Sequence, residues 1–325
     1  MPLSVLITGA TGFVGSALVN RLLQDGMTIS AGLRIGRVHH DNLPPVVRRV
    51  AMDSLTGCAN YAEALQNVDV LIHLAARVHI MDESAVEPLH EFRKFNVDGT
   101  EQLAIQAAKA GVRRFIFMSS IGVNGAESGA ASYSHEDTPH PHNAYSISKY
   151  EAELSLHKIS KDSGMEVVII RAPIVYGAGN PGNFLSLLKL ISTGLPLPLS
   201  SIKNKRSFIY VENLVDLIAL CVEHKNAANK VFLVSDGEDV STPELIRKIA
   251  LALDMKARLF PFPVFIMRFA GRLSGKFTRI NQLTGSLTID GSRTEFELGW
   301  TPPFSMDAGL SKLAIWFKND GPKCL

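Results

Sequence analysis

Short apolar runs and amphipathic stretches follow one another along the first half of the chain. The apolar runs have the length of strands and predict β-strands at residues 4–8, 28–33, 46–52, 68–74, 114–118 and 167–171. Apolar residues with helical spacing predict helices at residues 13–23, 61–65, 91–110 and 145–163. Strands that alternate with helices indicate an α/β fold, namely a doubly wound parallel sheet with helices on both faces.

The composition changes after about residue 175, where prolines and glycines become frequent and the predicted elements become shorter. We therefore predict a first domain over residues 1–175, to which the chain returns near residues 207–235. A smaller C-terminal α/β lobe takes up most of residues 176–325. A chain of 325 residues with 46% hydrophobic content is long enough to build both.

The charge balance and the cysteines argue against several classes of protein. The formal net charge of +2, from 33 basic and 31 acidic residues, indicates neither a nucleic-acid partner nor a membrane partner. Three distant cysteines, Cys58, Cys221 and Cys324, predict neither a disulfide framework nor a zinc site, and they fit a reducing compartment. Because the chain also begins without the pattern of a signal peptide, we expect a cytoplasmic protein.

Two further features could suggest a metal site and a membrane-surface helix, but we favour neither. His135, His140 and His142 lie in a proline-containing loop, without the carboxylates or the helical spacing of a metal site, so we expect no metal. The apolar segment 260–269 has the character of a membrane-surface helix. Two prolines interrupt it early, so we expect it to pack against the smaller lobe or to cover a substrate.

A glycine-rich turn, TGATGFVG at residues 8–15, stands between the first predicted strand and the first predicted helix. Gly9 permits a tight turn, Gly12 lets the backbone approach a pyrophosphate, and Gly15 lets helix and strand pack closely. The unpaired N–H groups at the helix N-terminus attract phosphates. This context predicts a Rossmann dinucleotide-binding domain rather than a plain strand–turn–helix corner. We assign five residues of the turn to the cofactor site: Gly9, Gly12, Phe13, Val14 and Gly15.

The end of the second predicted strand determines whether NAD or NADP fits. The sequence has Gly32, Leu33 and Arg34 there, without the carboxylate that would bind the ribose 2′-hydroxyl. Because a guanidinium suits a 2′-phosphate, we expect NADP or NAD as the cofactor, with Arg34 either in the site or merely solvated. An acid after the third strand and small residues after the fourth complete the expected site: Asp53, Leu74, Ala75 and Ala76.

Three residues predict the chemistry. Tyr145 and Lys149 are four apart and so share one face of a predicted helix. The lysine ammonium, together with an oxidised nicotinamide, would lower the tyrosine pKa from about 10 and let the phenol exchange a proton with a sugar oxygen. Ser120 follows the fifth strand, at the sheet edge where ligands bind, and can hydrogen-bond the same oxygen. The order of the three residues along the chain is more informative than the Y-x-x-x-K pair alone.

These motifs resemble those of the extended short-chain dehydrogenase/reductase family. Its T-G-x-x-G-x-x-G turn, its strand-end serine or threonine and its Y-x-x-x-K pair match the residues above. Asn96 resembles the family's helix asparagine, which supports the active site. Residues 171–177, RAPIVYG, resemble the R-x-x-x-V-Y-G segment beside the nicotinamide. The resemblance therefore implies that Asn96, Tyr145, Lys149 and Pro173 also belong to the cofactor site, with Lys149 holding the nicotinamide ribose.

The C-terminal lobe is similar to that of the UDP-hexose 4-epimerases within this family. Asn183 and Phe184 resemble a pair that contacts the nucleotide, and residues 206–211, RSFIYV, resemble a strand whose arginine meets the diphosphate. The resemblance covers residues 4–310 and implies a UDP-sugar substrate held by Asn183 and Arg206. It also implies a homodimer formed through the two long helices.

Two departures from the family pattern change the expected reaction. The sugar 4,6-dehydratases place Asp-Glu after the strand-end residue, whereas Ile121 and Gly122 follow Ser120 here, so dehydration is rejected. The epimerases usually carry an acid where this chain has Leu33 and Arg34.

We therefore expect an NAD(P)-dependent 4-ketoreductase, similar to the O-antigen-cluster enzymes of lipopolysaccharide biosynthesis. Some of these reduce UDP-2-acetamido-2,6-dideoxy-4-hexulose to UDP-N-acetylquinovosamine. One alternative is a 4-epimerase that acts on UDP-glucose or UDP-N-acetylglucosamine. Another is a non-catalytic dinucleotide sensor, although such sensors typically lose the tyrosine or the lysine.

Overall fold

The computed structural model describes residues 2–35, 42–55, 59–78, 87–180, 182–275 and 277–319, without the side chains of Asn183, Thr278 and Arg279. The strands in these residues are β1 Ser4–Thr8, β2 Thr28–Arg34, β3 Arg48–Met52, β4 Val70–His73, β5 Arg114–Ser120, β6 Glu166–Ala172, β7 Ile174–Tyr176, β8 Arg206–Tyr210, β9 Lys230–Leu233 and β10 Asp239–Val240. The α-helices in the same residues are α1 Phe13–Gln24, α2 Pro88–Phe92, α3 Gly99–Lys109, α4 Ala144–Ser163, α5 Asn183–Ser192, α6 Val211–Glu223, α7 Thr242–Ala252, α8 Val264–Leu273, α9 Phe277–Thr284, α10 Ser292–Leu298 and α11 Met306–Asn319. A π-helix spans Arg93–Asp98, and short 3₁₀ helices span Ile121–Val123 and Lys225–Ala227.

Seven strands form one parallel sheet in the order β3-β2-β1-β4-β5-β6-β9. Both faces of the sheet are covered, so successive residues of β1 belong to different apolar clusters. Val5 and Ile7 pack in one cluster, and Leu6 packs in the other. The strand order reverses between β1 and β4, and ligands bind at the carboxyl ends of the strands at such a point. The predicted doubly wound α/β fold is confirmed.

A second sheet contains β10, β8 and β7 in that order. β8 pairs antiparallel with β10 and parallel with β7, so it does not enter the main sheet. The return of the chain to the main sheet is instead made by α6, which packs against α1, and by β9, which pairs with β6. The domain boundary near residue 175 stays a prediction.

Two predicted helices differ from the structure. Residues 61–65 form a hydrogen-bonded turn: the Leu65 N–H donates to the Tyr61 carbonyl, but the Tyr61 N–H donates to the side chain of Gln106. Five residues are too few to propagate a helix without strong packing. The predicted helix 91–110 is interrupted by the π-helix, so α2 and α3 are separate α-helical segments.

The apolar segment 260–269 leads into α8. Val264 and Met267 of this helix pack against the core, whereas Phe265 and Phe269 are exposed. The expectation that the segment packs against the lobe is therefore correct for only one side of the helix.

Cys221 is buried, and Cys58 and Cys324 lie outside the described residues. In the part of the chain that the structure describes, no helix combines the length and the apolar character that a membrane span needs.

Candidate active site

The glycine turn joins β1 to α1 where backbone atoms leave no room for side chains. Gly9 has a left-handed φ of +74°, and a β-carbon there would lie 2.8 Å from the backbone nitrogen of Ala75. A β-carbon on Gly15 would overlap the carbonyl oxygen of Gly9. The tight turn and the close helix packing that were predicted for these two glycines thus have a visible steric cause.

The N-terminus of α1 is suited to an anion. Its N-cap is Gly12, which has no side chain to bond the first N–H groups, and the first turn contains no acidic residue. These N–H groups carry a partial positive charge, because the peptide dipoles of the helix add up with their positive end here. The residues present therefore fit the pyrophosphate of a dinucleotide.

A cleft of about 600 Å³ opens beside the turn, at the carboxyl ends of β1 to β4. It is lined by seven of the predicted cofactor residues: Gly9, Gly12, Arg34, Asp53, Leu74, Ala75 and Ala76. Arg77 and Phe95 also line it, and sequence reasoning missed both. For Arg77 a signal was available, since it follows the small residues at the end of β4 directly.

Seven predicted cofactor residues are not among those that line this cleft in the described structure. Asn96, Tyr145 and Lys149 are described below, and the other four are Phe13, Val14, Gly15 and Pro173. Phe13 and Val14 are partly buried against the main core, and Gly15 is buried within α1. Pro173 is buried between β6 and β7. A part for these four residues in cofactor binding stays a prediction.

Asn96 is buried in the π-helix and connects two neighbouring segments. Its side-chain oxygen accepts from the Arg77 N–H at 2.8 Å, and its amide donates to the Arg77 carbonyl at 3.0 Å. The same amide donates to the Ser148 hydroxyl of α4 at 3.0 Å. π-Helical turns are frequent at functional sites, and this one places Asn96 between the cofactor cleft and α4. The contacts agree with a supporting role, while direct contact with the cofactor stays a prediction.

Tyr145 and Lys149 lie on one face of α4 near its start. A capping box fixes the first turn, because the side chains of Asn143 and Ser146 each accept a bond from the other's backbone N–H. The buried ammonium of Lys149 donates to the Met118 carbonyl of β5 at 2.8 Å and lies 6.0 Å from the centre of the Tyr145 ring. The helix thus brings both side chains to the carboxyl end of β5.

Burial moves both titrating groups of this pair away from their usual pKa values. It raises the pKa of Tyr145 to about 12 and lowers the pKa of Lys149 to about 7, an effect that the carboxylate of Glu153 opposes. The raised tyrosine pKa applies to the protein on its own, and the lowering expected beside an oxidised nicotinamide stays a prediction. The prediction assumed a fully charged lysine, whereas burial makes the charged lysine less favourable.

Ser120 ends β5 at the same edge of the sheet. Its hydroxyl accepts a bond from the Gly122 N–H at 3.1 Å. A β-carbon placed on Gly122 would lie 3.4 Å from this hydroxyl and 3.3 Å from the β-carbon of Ser146, so the hydroxyl borders the first turn of α4. The structure thus places Ser120, Tyr145 and Lys149 at the junction of β5 and α4.

A buried network lies behind these residues, and sequence reasoning missed it. Arg171 of β6 makes two bonds to the Glu153 carboxylate, at 2.6 and 3.1 Å, and donates a third to Asn124 at 3.0 Å. The Ser119 hydroxyl donates to Glu153 at 2.5 Å. Because Glu153 follows Lys149 by one helical turn, the network ties α4 to the ends of β5 and β6 beside the lysine.

The two predicted substrate residues begin different elements of the C-terminal half. Arg206 begins β8, where its guanidinium donates to the carbonyls of Gln282 at 2.9 Å and Gly285 at 3.3 Å, and burial lowers its pKa. Asn183 begins α5, but its side chain lies outside what the structure describes. Substrate binding by these residues stays a prediction.

Among the described residues, no group of His, Cys, Asp and Glu side chains is arranged to hold a metal ion. His73, at the end of β4, is instead a buried residue whose ring lies 2.6 Å from the Thr8 hydroxyl and 3.1 Å from the Thr100 hydroxyl. Burial lowers the pKa of His73 to about 3, so the ring is neutral.

The sequence of the chain matches a known family over most of its length. The NAD dependent epimerase/dehydratase family matches residues 5–235. A Vibrio cholerae protein described as UDP-glucose 4-epimerase is 44% identical over 320 residues, which cover 98% of this chain and 96% of the relative.

Two solved structures share the fold at low sequence identity. A UDP-glucose 4-epimerase from Thermotoga maritima, solved with UDP-glucose, is 22% identical, with a TM-score of 0.77 and coverage of 97% of this chain and 99% of the other. A UDP-glucuronic acid 4-epimerase from Bacillus cereus, solved with NAD, is 20% identical, with a TM-score of 0.76 and the same coverage. At this identity the likeness concerns the fold alone.

These findings favour the epimerase alternative over the expected ketoreductase, since the relative that is 44% identical is described as an epimerase. They also favour NAD among the two dinucleotides that the sequence predicted, because the matched family is NAD dependent. The chain belongs to the NAD dependent epimerase/dehydratase family of enzymes.

Proposed function

We propose that this chain is a UDP-hexose 4-epimerase that interconverts UDP-glucose and its C4 epimer, UDP-galactose. The observation that carries the proposal is the 44% identity to a UDP-glucose 4-epimerase over nearly the full length of both chains. The junction of β5 and α4, with Ser120, Tyr145 and Lys149, supplies the groups that the reaction needs. The proposal takes the place of the ketoreductase that the sequence alone favoured.

Residues of α4 transfer the proton at the sugar O4. The cleft beside Gly9 and Gly12 would hold NAD, which would supply the hydride acceptor and donor for the sugar C4. Tyr145 removes the O4 proton as C4 is oxidised and returns it as C4 is reduced. Lys149 favours the phenolate when charged, and its pKa of about 7 leaves it partly charged at neutral pH. The Ser120 hydroxyl at the end of β5 orients O4.

Between the oxidation and the reduction, the 4-keto sugar must rotate to present its opposite face, while the diphosphate stays bound. We assign the binding of the diphosphate to Arg206 and Asn183. The bonds of Arg206 go to the neutral carbonyls of Gln282 and Gly285, and the nearby charge of Glu127 favours the charged guanidinium, which suits a diphosphate. A guanidinium that is already held by carbonyls is also preorganised, which lowers the entropic cost of binding.

Two other activities fit the site less well. Dehydration needs an acid after Ser120, but that position begins a 3₁₀ turn whose Ile121 and Val123 are buried and apolar. Glu153 is paired with Arg171 and is therefore no free acid. A non-catalytic sensor would have no use for the pair formed by Tyr145 and Lys149.

The test is to incubate the purified protein with UDP-glucose and no added dinucleotide, and to follow UDP-galactose by NMR. We expect conversion to equilibrium and NAD in the supernatant after denaturation, because an epimerase regenerates its cofactor in every cycle. A protein that forms no UDP-galactose with NAD supplied would overturn the proposal.

Tyr145→Phe tests the proton-transfer step separately. We expect kcat to fall by about 10²–10⁴, the usual contribution of a general acid–base group, while the content of bound NAD stays the same. Ser160→Ala removes an exposed hydrogen bond from the Ser160 hydroxyl to the Asn229 side chain at the far end of α4, and this control should leave kcat unchanged. Activity of Tyr145→Phe within a factor of ten of the wild type would exclude this role.

The 4-ketoreductase stays a second candidate because of one observation. Arg34 lines the cofactor cleft where an acid is usual in epimerases, and a guanidinium suits the 2′-phosphate of NADPH. The distinguishing assay supplies NADPH or NADH with a UDP-linked 4-keto sugar. Stoichiometric oxidation of the reduced dinucleotide, without conversion of UDP-glucose, would favour the reductase.

A homodimer formed through the two long helices, a cytoplasmic location and a part in lipopolysaccharide biosynthesis stay predictions. None of the three is needed for the chemistry assigned to Tyr145.

A further inference from the structure

The outer side of α8 is an apolar surface. Phe265, Phe269 and Leu273 are 74%, 63% and 77% exposed, and they are spaced four residues apart, so they form one stripe along the helix. Ile266 lies beside the stripe and is 39% exposed. We call these four side chains the α8 apolar face. Contiguous exposed apolar residues of this kind mark interaction surfaces, whereas single ones are ordinary.

The inner side of α8 shows that the helix is held in this orientation. Val264 and Met267 pack against the core. Gly271 is buried, and a β-carbon there would lie 2.6 Å from the side chain of Ile280, so α9 approaches α8 closely on this side. The apolar face therefore points away from the protein because the opposite side is already packed.

The chain segment that carries this face has charges of one sign. Residues 255–289 contain six basic residues and no acidic residue, although the whole chain has a net charge of only +2. Arg268 and Arg272 stand on α8 at positions that border the apolar face. The Arg272 guanidinium lies 4.8 Å from the centre of the Phe277 ring of α9, and Arg268 donates to the Thr284 hydroxyl. The arginines are thus placed on the hairpin of α8 and α9 rather than scattered over the surface.

We propose that the α8 apolar face docks onto an anionic lipid bilayer, with α8 parallel to the membrane plane. Aromatic and aliphatic side chains that protrude from a helix, flanked by cationic residues, are the pattern of helices that bind at the lipid–water interface. A protein partner or a second copy would have to offer an apolar groove and a concentration of acids together, whereas an anionic bilayer offers an apolar interior beneath a negative surface. The charge therefore selects an anionic surface.

Docking through α8 would also bring the candidate active site near the membrane. The carbonyls of Gln282 and Gly285, at and just after the end of α9, accept bonds from Arg206. The hairpin that contacts lipid is thus continuous with the arginine assigned to the diphosphate. This consequence rests on the proposed function, whereas the docking itself does not.

The test is flotation of the full chain with vesicles of phosphatidylglycerol and phosphatidylcholine, and with vesicles of phosphatidylcholine alone. We expect binding to the anionic vesicles that weakens as salt is raised, and at least tenfold weaker binding to the neutral ones. Phe265→Ser combined with Phe269→Ser should lower binding to anionic vesicles by roughly a hundredfold, because two aromatic side chains lose their burial in lipid. Arg272→Gln should lower it by about fivefold.

The matched control is Phe296→Ser on α10, which removes a phenylalanine that is 88% exposed but lies outside the α8 apolar face. It should bind vesicles as the wild type does. No binding of the wild type to anionic vesicles, or equal losses for Phe296→Ser and the α8 double variant, would overturn the proposal. Light scattering of the same proteins without vesicles tests whether a second copy covers the face instead. A dimeric wild type and a monomeric double variant, with no vesicle binding by either, would make the α8 apolar face an interface between two copies. Because flotation needs no catalysis, its outcome is independent of the epimerase assay.

Discussion

The glycine turn after β1 and the outer side of α8 contrast in how they expose their residues. In the turn, Gly9 and Gly15 leave out side chains because backbone atoms already fill the space. On α8, Phe265 and Phe269 present large side chains that no other part of the described protein covers. The first region is specialised for a ligand that lies against the backbone, and the second for a partner that accepts side chains. Changes in the first should therefore affect folding, and changes in the second should affect only binding.

The largest expected effect is that of Gly15→Val in the turn. The new side chain would overlap the Gly9 carbonyl, so α1 must move from β1, and we expect the free energy of unfolding to fall by about 4 kcal/mol or more. Urea unfolding followed by circular dichroism measures it. Ser16→Ala, at the next and exposed position of α1, should change stability by less than about 0.5 kcal/mol. A fully stable Gly15→Val protein would mean that the turn is not packed as described.

The next effect concerns the network behind the catalytic residues. Glu153→Gln leaves Arg171 buried without its anionic partner, so we expect a loss of about 3 kcal/mol in the free energy of unfolding. The control is Glu151→Gln, two residues earlier on α4, whose partner Arg93 is exposed. That change should cost no more than about 1 kcal/mol. Equal losses for the two variants would contradict the assignment of the buried pair.

Replacement of Lys149 should have a smaller effect and should raise, not lower, the free energy of unfolding near neutral pH. Its pKa is about 7 in the folded protein, against 10.5 for a lysine side chain in water, so the unfolded chain binds more protons between these values. The folded state is therefore disfavoured at and below pH 7, and the free energy of unfolding rises towards pH 10. Lys149→Met removes this cost but also the bond to the Met118 carbonyl, and we expect the variant to be about 1 kcal/mol more stable near pH 6.5.

This advantage of Lys149→Met should shrink as the pH approaches 10. Paired urea titrations of wild type and variant at pH 6.5 and 9.5 cancel the groups that both proteins share. A difference in stability that does not change with pH would contradict the lowered lysine pKa.

The smallest effect is expected on α8. Phe265→Ser should change the free energy of unfolding by less than about 0.5 kcal/mol, because the side chain is already largely in water. The matched change in the core is Phe115→Ser on β5, where the side chain is fully buried and its loss should cost about 3–5 kcal/mol. Thermal unfolding of both variants provides the comparison. A large loss from Phe265→Ser would mean that α8 packs its outer side against the protein.

Features that depend on neighbouring residues could be predicted from the sequence. The turn at Gly9 to Gly15 and the pair of Tyr145 and Lys149 are set by spacing along one strand–turn–helix unit or one helix face, so a single pattern contains the information. The parallel sheet followed in the same way from the alternation of apolar runs with amphipathic ones.

Features that depend on distant contacts could not be predicted. The π-helix around Asn96 is held by Arg77 and Ser148, which no local pattern links to it. The pairing of Glu153 with Arg171 and the pKa of Tyr145 depend on burial that only the folded chain creates. The two sides of α8 are a third example. The sequence shows that the segment is apolar, but it does not show which side of the helix packs against the protein.

Epimerisation at C4 by this protein can be measured with UDP-glucose deuterated at C4 and no added dinucleotide. We expect UDP-galactose that retains the deuterium at C4, because the dinucleotide bound beside Gly9 and Gly12 would accept the deuteride from C4 and return it to the same carbon. UDP-galactose that has lost the label, or no UDP-galactose at all from protein that contains NAD, would show that the chain is not a UDP-glucose 4-epimerase of this mechanism.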